Sequence, residues 1–323
     1  MSWTATIGER DYDALHAHLF QEDRDEHAAF LYAGLMETPG GSRLLVRRVV
    51  PVADGDFGPS NRGAYRQIAA RTVARAALEC DADGLCLLWA HSHPGSGAAV
   101  EFSPGDLDAH AYAHPALIDM TRGRPVAGLV LGEYSAAGEI WAPDASPVRL
   151  ESLRVVGRHI RELYPRRPAR VGIVEKRFAR QVLMFGGAGQ QILRRLTVGV
   201  VGAGGGGSLL VQMLARLGVG KLIIVDYDVV SESNLSRVVG ASSADIGRPK
   251  VDVMRQFVAR IDPAIEVDAF FGDVAYARDA RRVAASDFAF LATDTILSRY
   301  AFNLLCHQYL VPGIQVGAKV TAD

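Results

Sequence analysis

The sequence predicts an α/β protein built from two units, and three observations carry that prediction. A chain of 323 residues, 49% hydrophobic and 22% charged, is long enough for two cores. The charge balance changes sign near residue 150. Residues 1–150 hold 12 Lys+Arg against 20 Asp+Glu, a net of −8, whereas residues 151–323 hold 23 against 16, a net of +7. Finally, short apolar runs alternate with helical stretches and turn residues in both halves, as an α/β fold requires.

In the first half, residues 11–20 and 62–78 read as helices. Strands are expected at about 28–35, 43–51, 85–92, 126–131 and 138–142. Pro143 and Pro147 close this unit. Residues 151–176 carry Arg154, Arg158, Arg161, Arg166, Arg167 and Arg170 with Pro165 and Pro168, and read as a helix and a connecting segment. The expected organisation is therefore a first domain over 1–147, a linker over 148–173 and a second domain over 174–323.

Composition excludes several classes. The N-terminus lacks a basic region followed by an apolar one, so no secretory signal is expected. No apolar run approaches a membrane span. Cys80, Cys86 and Cys306 cannot all pair and none lies in Cys-x-x-Cys, which fits free thiols in a cytoplasmic protein. The arginine-rich segment has no aromatic stacking platform beside it, so nucleic acid is not an expected partner. The basic second half suits phosphates or an acidic partner.

The most informative stretch runs from His91 to Asp106. The apolar run 85–90 reads as a buried strand leading into His91-Ser92-His93-Pro94. Residues two apart on a strand point the same way, so His91 and His93 converge while Ser92 faces elsewhere. Ser103-Pro104-Gly105-Asp106 then returns a carboxylate. Two imidazoles and a carboxylate make a three-ligand zinc set with a fourth position open. A zinc deaminase is excluded, because His-x-Glu followed by Pro-Cys-x-x-Cys is absent. These residues resemble the JAMM/MPN zinc metalloproteases, whose signature is His-x-His-Pro, a spacer, then Ser-x-x-Asp. The resemblance implies an α/β domain with a curved mixed sheet and zinc (Zn2+) held by His91, His93 and Asp106. It further implies that Glu26, ahead of the apolar run 28–33, is the general base and that Ser103 supports the oxyanion.

The second half opens with a strand at 196–201, the loop Gly202-Ala203-Gly204-Gly205-Gly206-Gly207-Ser208 and a helix at 209–217. A strand, a glycine loop and a helix N-terminus set backbone N–H groups against a phosphate. The next strand, 222–225, ends at Asp226, placed to bond a ribose hydroxyl. So far an NAD-linked oxidoreductase would match equally well. Further on come Ser233-Asn234-Leu235-Ser236-Arg237, then Gly247-Arg248-Pro249-Lys250, and a strand at 288–293 followed by Asp294. Arg177-Phe178-Ala179-Arg180-Gln181 precedes the fold. No loop ends in Gly-Lys-Ser/Thr, so a P-loop ATPase is excluded.

This set, in this order, resembles the ThiF/MoeB and ubiquitin-activating superfamily, which adenylates a protein's C-terminal carboxylate with ATP. The resemblance implies a Rossmann-like domain with nucleotide at Gly202, Gly204, Gly205 and Gly207. Lys250, Arg237 and Arg180 would contact phosphates, Asp294 magnesium (Mg2+), Asn234 the nucleotide and Asp226 the ribose. Lys250 stands out as one of only four lysines against 31 arginines. The arginine matching Arg180 reaches across a two-fold axis in that family, which implies a homodimer. The family continues beyond the strand expected at 314–320, so the adenylating domain is expected to be C-terminally incomplete here. Cys306 is not expected to be a thioester nucleophile.

The combined expectation is a bifunctional enzyme acting on a ubiquitin-like or sulfur-carrier protein ending in Gly, with a conjugating enzyme as a possible further partner. One half would cleave after that Gly, and the other would adenylate the freed carboxylate. The alternative is a zinc peptidase whose second half only docks the carrier.

Overall fold

The computed structural model describes residues 2–317 other than 24, 39, 59–65, 144 and 168–174. The chain divides into two compact units, residues 1–169 and 170–323. Among the described residues, no helix is long and apolar enough to cross a membrane.

The first unit contains, in order, β1 (Ser2–Gly8), α1 (Glu9–Leu19), β2 (Ala28–Thr38), β3 (Gly41–Pro51), α2 (Ala70–Asp83), β4 (Cys86–Ser92), α3 (Pro104–Met120), β5 (Val126–Leu131), β6 (Ala136–Trp141), β7 (Val148–Arg149), β8 (Ser152–Val156) and β9 (Arg161–Leu163). They form one nine-stranded mixed sheet in the order β7-β6-β5-β4-β2-β3-β1-β8-β9. The period-2 pleat divides the apolar residues between two faces. Ala29, Leu31, Ala33, Leu88 and Ala90 pack with Tyr12, Leu15 and Leu19 of α1. Phe30, Tyr32 and Leu87 pack instead with Val73, Ala76 and Ala77 of α2 and Leu117 of α3. The central strands are therefore covered on both sides, which explains their unbroken apolar runs.

Two expectations are corrected here. The second helix begins at Ala70, not near 62, because the preceding chain pairs with itself. Phe57 bridges Ile68, and Gly58 N–H donates to the Gln67 carbonyl at 2.7 Å. Positions 62–65 of that expected helix lie outside the described residues. The helix expected after residue 151 is instead β8 and β9, with β8 paired parallel to β1. Leu153 and Val155 are buried in the core while Arg154 on the opposite face pairs with Glu162. That is a strand's alternation, hidden by the density of arginines.

The second unit contains α4 (Ala179–Arg195), β10 (Thr197–Val201), α5 (Gly205–Leu217), β11 (Lys221–Asp226), α6 (Lys250–Ile261), β12 (Glu266–Phe271), α7 (Ala277–Ala284), β13 (Phe288–Leu291), α8 (Ile296–Tyr309) and β14 (Gly313–Gln315). The sheet order is β12-β11-β10-β13-β14, and every pair is parallel. The order runs outward in both directions from β10, so the direction of winding reverses between β10 and β13. In open parallel sheets, ligands bind at that reversal, outside the C-terminal strand ends. Positions 318–320 of the last expected strand lie outside the described residues.

Candidate active sites

In the first unit, β4 ends at Ser92, and the His93 N–H still donates to the Leu131 carbonyl of β5 at 2.9 Å. Extended backbone therefore continues through His93. The expected alternation holds, since Ser92 is fully buried and its hydroxyl accepts from the His27 N–H at 3.1 Å. His91 and His93 point the other way, toward the face covered by α3.

Asp106 is supplied by the first turn of α3. Ser103 is the N-cap: its hydroxyl accepts from Asp106 N–H at 3.2 Å, and its own N–H donates to Asp106 Oδ2 at 2.7 Å. This reciprocal capping box fixes the carboxylate at the third helical position. The Ser103 hydroxyl also donates to Asp106 Oδ2 at 2.8 Å. The Ser103 hydroxyl proton thus lies on the Asp106 carboxylate, a candidate metal ligand; the resemblance assigns the same hydroxyl to oxyanion support.

Glu26 arrives through strand register. Ala28 of β2 faces His91 of the antiparallel β4, so continuing the ladder by two residues brings Glu26 opposite His93. Its Oε1 lies 4.0 Å from His93 Nε2. The residues expected from distant parts of the sequence therefore meet.

The three candidate ligands have metal-site spacing. His91 Nε2 is 3.3 Å from His93 Nε2, 3.3 Å from Asp106 Oδ1, and Asp106 Oδ2 is 3.3 Å from His93 Nε2. Ligand atoms ~2.05 Å from a tetrahedral ion are separated by about 3.3 Å. The donor set and its spacing thus fit zinc, and among the described residues this is the one cluster of three His, Cys or acidic groups so spaced.

Electrostatics agree with separate roles for the two carboxyls. Burial pulls Asp106 upward, but hydrogen bonds from His91, His93 and Ser103 overcome it and hold it well below the usual range. Burial raises Glu26, with His91 and His93 opposing. His93 is raised, chiefly by its hydrogen bond to Asp106. An ionised ligand beside a more basic carboxyl is the division that general-base chemistry uses.

Sequence reading missed the cleft's inner wall. Besides Glu26, His91 and Asp106, it is lined by Phe57, Arg66, Ile68, Trp89 and His110. His110 follows Asp106 by one turn of α3, and its ring stacks on His114, centroids 4.5 Å apart and 16° from parallel. The spacing i, i+4 was visible, but nothing in it told a site residue from a core residue.

In the second unit, Gly202 has φ +93°, and a side chain there would strike Thr293 and the Ala292 carbonyl. A Cβ at Gly207 would lie 1.7 Å from the Gly202 carbonyl oxygen. These glycines let the turn after β10 close against α5. Gly204, the N-cap of α5, has no atom within 4 Å of a built Cβ and supplies no side-chain cap. Gly205 lies against the side chain of Arg237.

Asp226, at the end of β11, holds this loop. Its Oδ2 accepts from Ala203 N–H at 2.6 Å and its Oδ1 from Asp228 N–H at 2.7 Å. Burial raises its pKa while those bonds and Lys250 oppose. Lys250, buried at the start of α6, donates to Asp228 Oδ2 at 2.6 Å. Asn234 is buried and its Oδ1 accepts from Ser231 N–H. Arg237 donates to the Ser233 carbonyl at 2.7 Å. Asp294 is exposed past the end of β13, and Arg180 is exposed near the start of α4. Tyr227 is raised by desolvation first, then by Asp228, Asp273, Asp226 and Asp294. Asp273 carried no sequence motif and was not foreseen. Burial pushes the Cys306 thiol up to about 11, which suits a structural residue and not a nucleophile.

Residues 178–321 match the ThiF family. The chain thus carries a ThiF/MoeB-like α/β domain. Among curated proteins, the ThiF-like match includes the SAMP-activating enzyme E1 of Haloferax volcanii, 38% identical over 42% of this chain and 51% of that protein. The molybdopterin-synthase adenylyltransferase of Escherichia coli is 36% identical over 46% of this chain and 59% of that protein. The chain therefore spans between half and three fifths of the length of these relatives. Among solved structures, the E. coli tRNA N6-threonylcarbamoyladenosine dehydratase TcdA in complex with ATP aligns with TM-score 0.42 and 24% identity, covering 46% of this chain and 63% of that chain.

Proposed function

We propose that this chain processes and activates one substrate, a ubiquitin-like or sulfur-carrier protein ending in Gly. The first unit is a JAMM-type zinc peptidase, and the second is an ATP-dependent adenylating domain.

The reading of the first unit rests on its geometry, above all on three donor atoms at tetrahedral separations beside Glu26. His91, His93 and Asp106 would hold zinc, which when bound lowers the pKa of water to ~7 and polarises a carbonyl. Glu26 takes one proton from the attacking water and passes it to the leaving amine. The C–N bond after the carrier's Gly breaks, leaving a free carboxylate and an amine. Ser103 keeps Asp106 oriented throughout.

The reading of the second unit is supported by the ThiF match and by the names of its relatives, one an adenylyltransferase and one an activating enzyme. A carrier carboxylate oxygen attacks the α-phosphorus of ATP, an acyl-adenylate forms and pyrophosphate departs. Negative charge grows on the departing oxygens and needs cations. Lys250 gives one of its three hydrogens to Asp228 and keeps two for phosphate. Arg237 lies over the loop at Gly205, and Asp294 would hold magnesium, which would supply further positive charge there. Arg180 is assigned to a partner copy's site. In support, Leu183 and Met184 on the same helix are 80% and 81% exposed, an apolar face that a second copy would cover.

ATP–pyrophosphate exchange tests the second unit. The purified chain is assayed with the ubiquitin-like protein encoded nearest its gene, with and without Lys250→Ala. Exchange that needs both Lys250 and the carrier's terminal Gly is the expected result. No exchange with a bound carrier would overturn adenylation.

A further inference from the structure

The ladder between β2 and β4 ends on an irregular bond, and that bond lies beside the proposed general base. His27 and Ser92 stand opposite each other one step beyond the Ala28–His91 pair. The Ser92 N–H donates to the His27 carbonyl at 3.0 Å, as in a regular antiparallel pair. A regular pair returns the bond from the other N–H to the facing carbonyl. Here the His27 N–H donates instead to the Ser92 hydroxyl at 3.1 Å, and that hydroxyl turns its own proton to the His27 carbonyl at 3.4 Å. We propose that Ser92 is a positioning residue for Glu26, its hydroxyl setting the peptide that carries the base. This inference rests on the zinc peptidase reading of the first unit.

The His27 N–H shares one peptide plane with the Glu26 carbonyl. Fixing that N–H therefore fixes the direction in which Glu26 leaves the backbone. The metal ligands do not hold the base, because its Oε1 is 4.0 Å from His93 Nε2, beyond hydrogen-bond range. Residues 25–27 belong to no helix or strand, so regular structure does not aim it either. Two fastenings remain. The Arg66 N–H bonds the carboxylate from the far wall of the cleft, and Ser92 secures the peptide behind it. His27 is anchored further by its own ring, which is 3% exposed with Nε2 at 3.0 Å from Asp23 Oδ1.

A serine at this point in a strand is otherwise costly. Ser92 is fully buried on the face opposite His91 and His93, and a buried hydroxyl must be bonded. The histidines themselves are secured from the other side. Ser92 pairs with Leu131 of β5, and the His93 N–H donates to the Leu131 carbonyl at 2.9 Å. The end of β4 is thus held by β5, while the hydroxyl acts on the strand that brings Glu26.

Threonine and valine have nearly the same shape and differ in the hydroxyl, so the test compares Ser92→Thr with Ser92→Val in the full chain. Hydrogen exchange at the His27 amide is followed in the zinc-free chain, and chelator competition gives the zinc constant. Turnover is read on the ubiquitin-like protein encoded nearest the gene, carrying a fluorogenic amide on its terminal Gly. A catalytic group displaced by about 1 Å costs roughly 10²-fold in rate. Ser92→Thr should stay within about threefold of wild type in kcat, KM and zinc constant. Ser92→Val should exchange the His27 amide about tenfold faster or more. It should also lose roughly 10²-fold in kcat, with KM and zinc constant within about threefold of Ser92→Thr. Equal kcat in the two variants, or a loss of zinc affinity that matches the loss of kcat, overturns the inference. A wild-type chain that binds no zinc, or binds it and releases no fluorophore, overturns the peptidase reading itself, and the inference with it.

Discussion

Ser103→Ala separates two roles that one hydroxyl can play in this kind of site. In the structure that hydroxyl accepts from Asp106 N–H at 3.2 Å and donates to Asp106 Oδ2 at 2.8 Å, so the variant loses both bonds and keeps the backbone bond at 2.7 Å. Removing the N-cap costs about 1 kcal/mol of stability. For a unit of residues 1–169, that is a fall of roughly 2–4 °C in melting temperature. Removing a bond that orients a metal-ligating carboxylate weakens metal affinity about 10–100-fold, or ~1.4–2.7 kcal/mol. Chelator competition measures the zinc constant, and calorimetric melting of the zinc-free chain measures the cap. Unchanged zinc affinity and melting, with turnover lost a hundredfold, would show that Ser103 acts on the substrate. The reasoning about Asp106 would then be refuted.

Other perturbations follow from the same contacts. Burial holds His110 down to about 4 and His114 down to about 3, against ~6.5 in the unfolded chain. Above pH ~6.5 neither state binds these protons. Between there and pH 4 the unfolded state alone does, so stability falls by up to about 2.7 kcal/mol per pH unit as acid is added. Melting curves from pH 7 to 4 should show that slope flattened in the His110→Phe/His114→Phe double variant, and parallel curves would count against it. Gly207→Ala forces a Cβ to within 1.7 Å of the Gly202 carbonyl and should destabilise the second unit by about 1–3 kcal/mol or more. Gly204→Ala meets nothing within 4 Å, so it should cost no more than the roughly 1 kcal/mol by which alanine is a poorer N-cap than glycine, and should weaken the thermal shift that ATP produces. Equal loss of melting temperature in both glycine variants would contradict the assignment of that open space to nucleotide.

The parts legible in the sequence were those whose residue type and local geometry agree. His91 and His93 could be read because a strand's pleat puts alternate residues on one face, and the glycine loop because only glycine fits Gly202 and Gly207. Glu26 was reached by resemblance, and the β2–β4 register supplies its physical reason. What escaped was decided by packing at long range. Leu153 and Val155 enter the core between arginines whose charge suggested solvent. His110 and His114 differ from surface histidines only through Phe102, Gly128 and Trp141, which other elements bring to them. Asp273 follows β12, whose last residue Phe271 pairs with Asp226 at the end of β11.

Both candidate sites use the same device, a strand end followed by a helix N-terminus, and the capping of that terminus sets what each can hold. A helix N-terminus presents unpaired N–H groups and a partial positive charge. At α3 the protein satisfies that terminus itself, with Ser103 and the Asp106 carboxylate. The carboxylate is thereby kept ionised, and its remaining charge faces His91 and His93, an arrangement that calls for a cation. At α5 the N-cap is Gly204, with no side-chain cap and open space around it. The N–H groups there await an acceptor from outside, which calls for an anion such as a phosphate. Changing the capping chemistry at either terminus is therefore expected to weaken what that terminus can hold, even if every other site residue stays in place. A serine at 204 would compete for the N–H groups of α5 that are proposed for phosphate, and an alanine at 103 would release the carboxylate that faces His91 and His93.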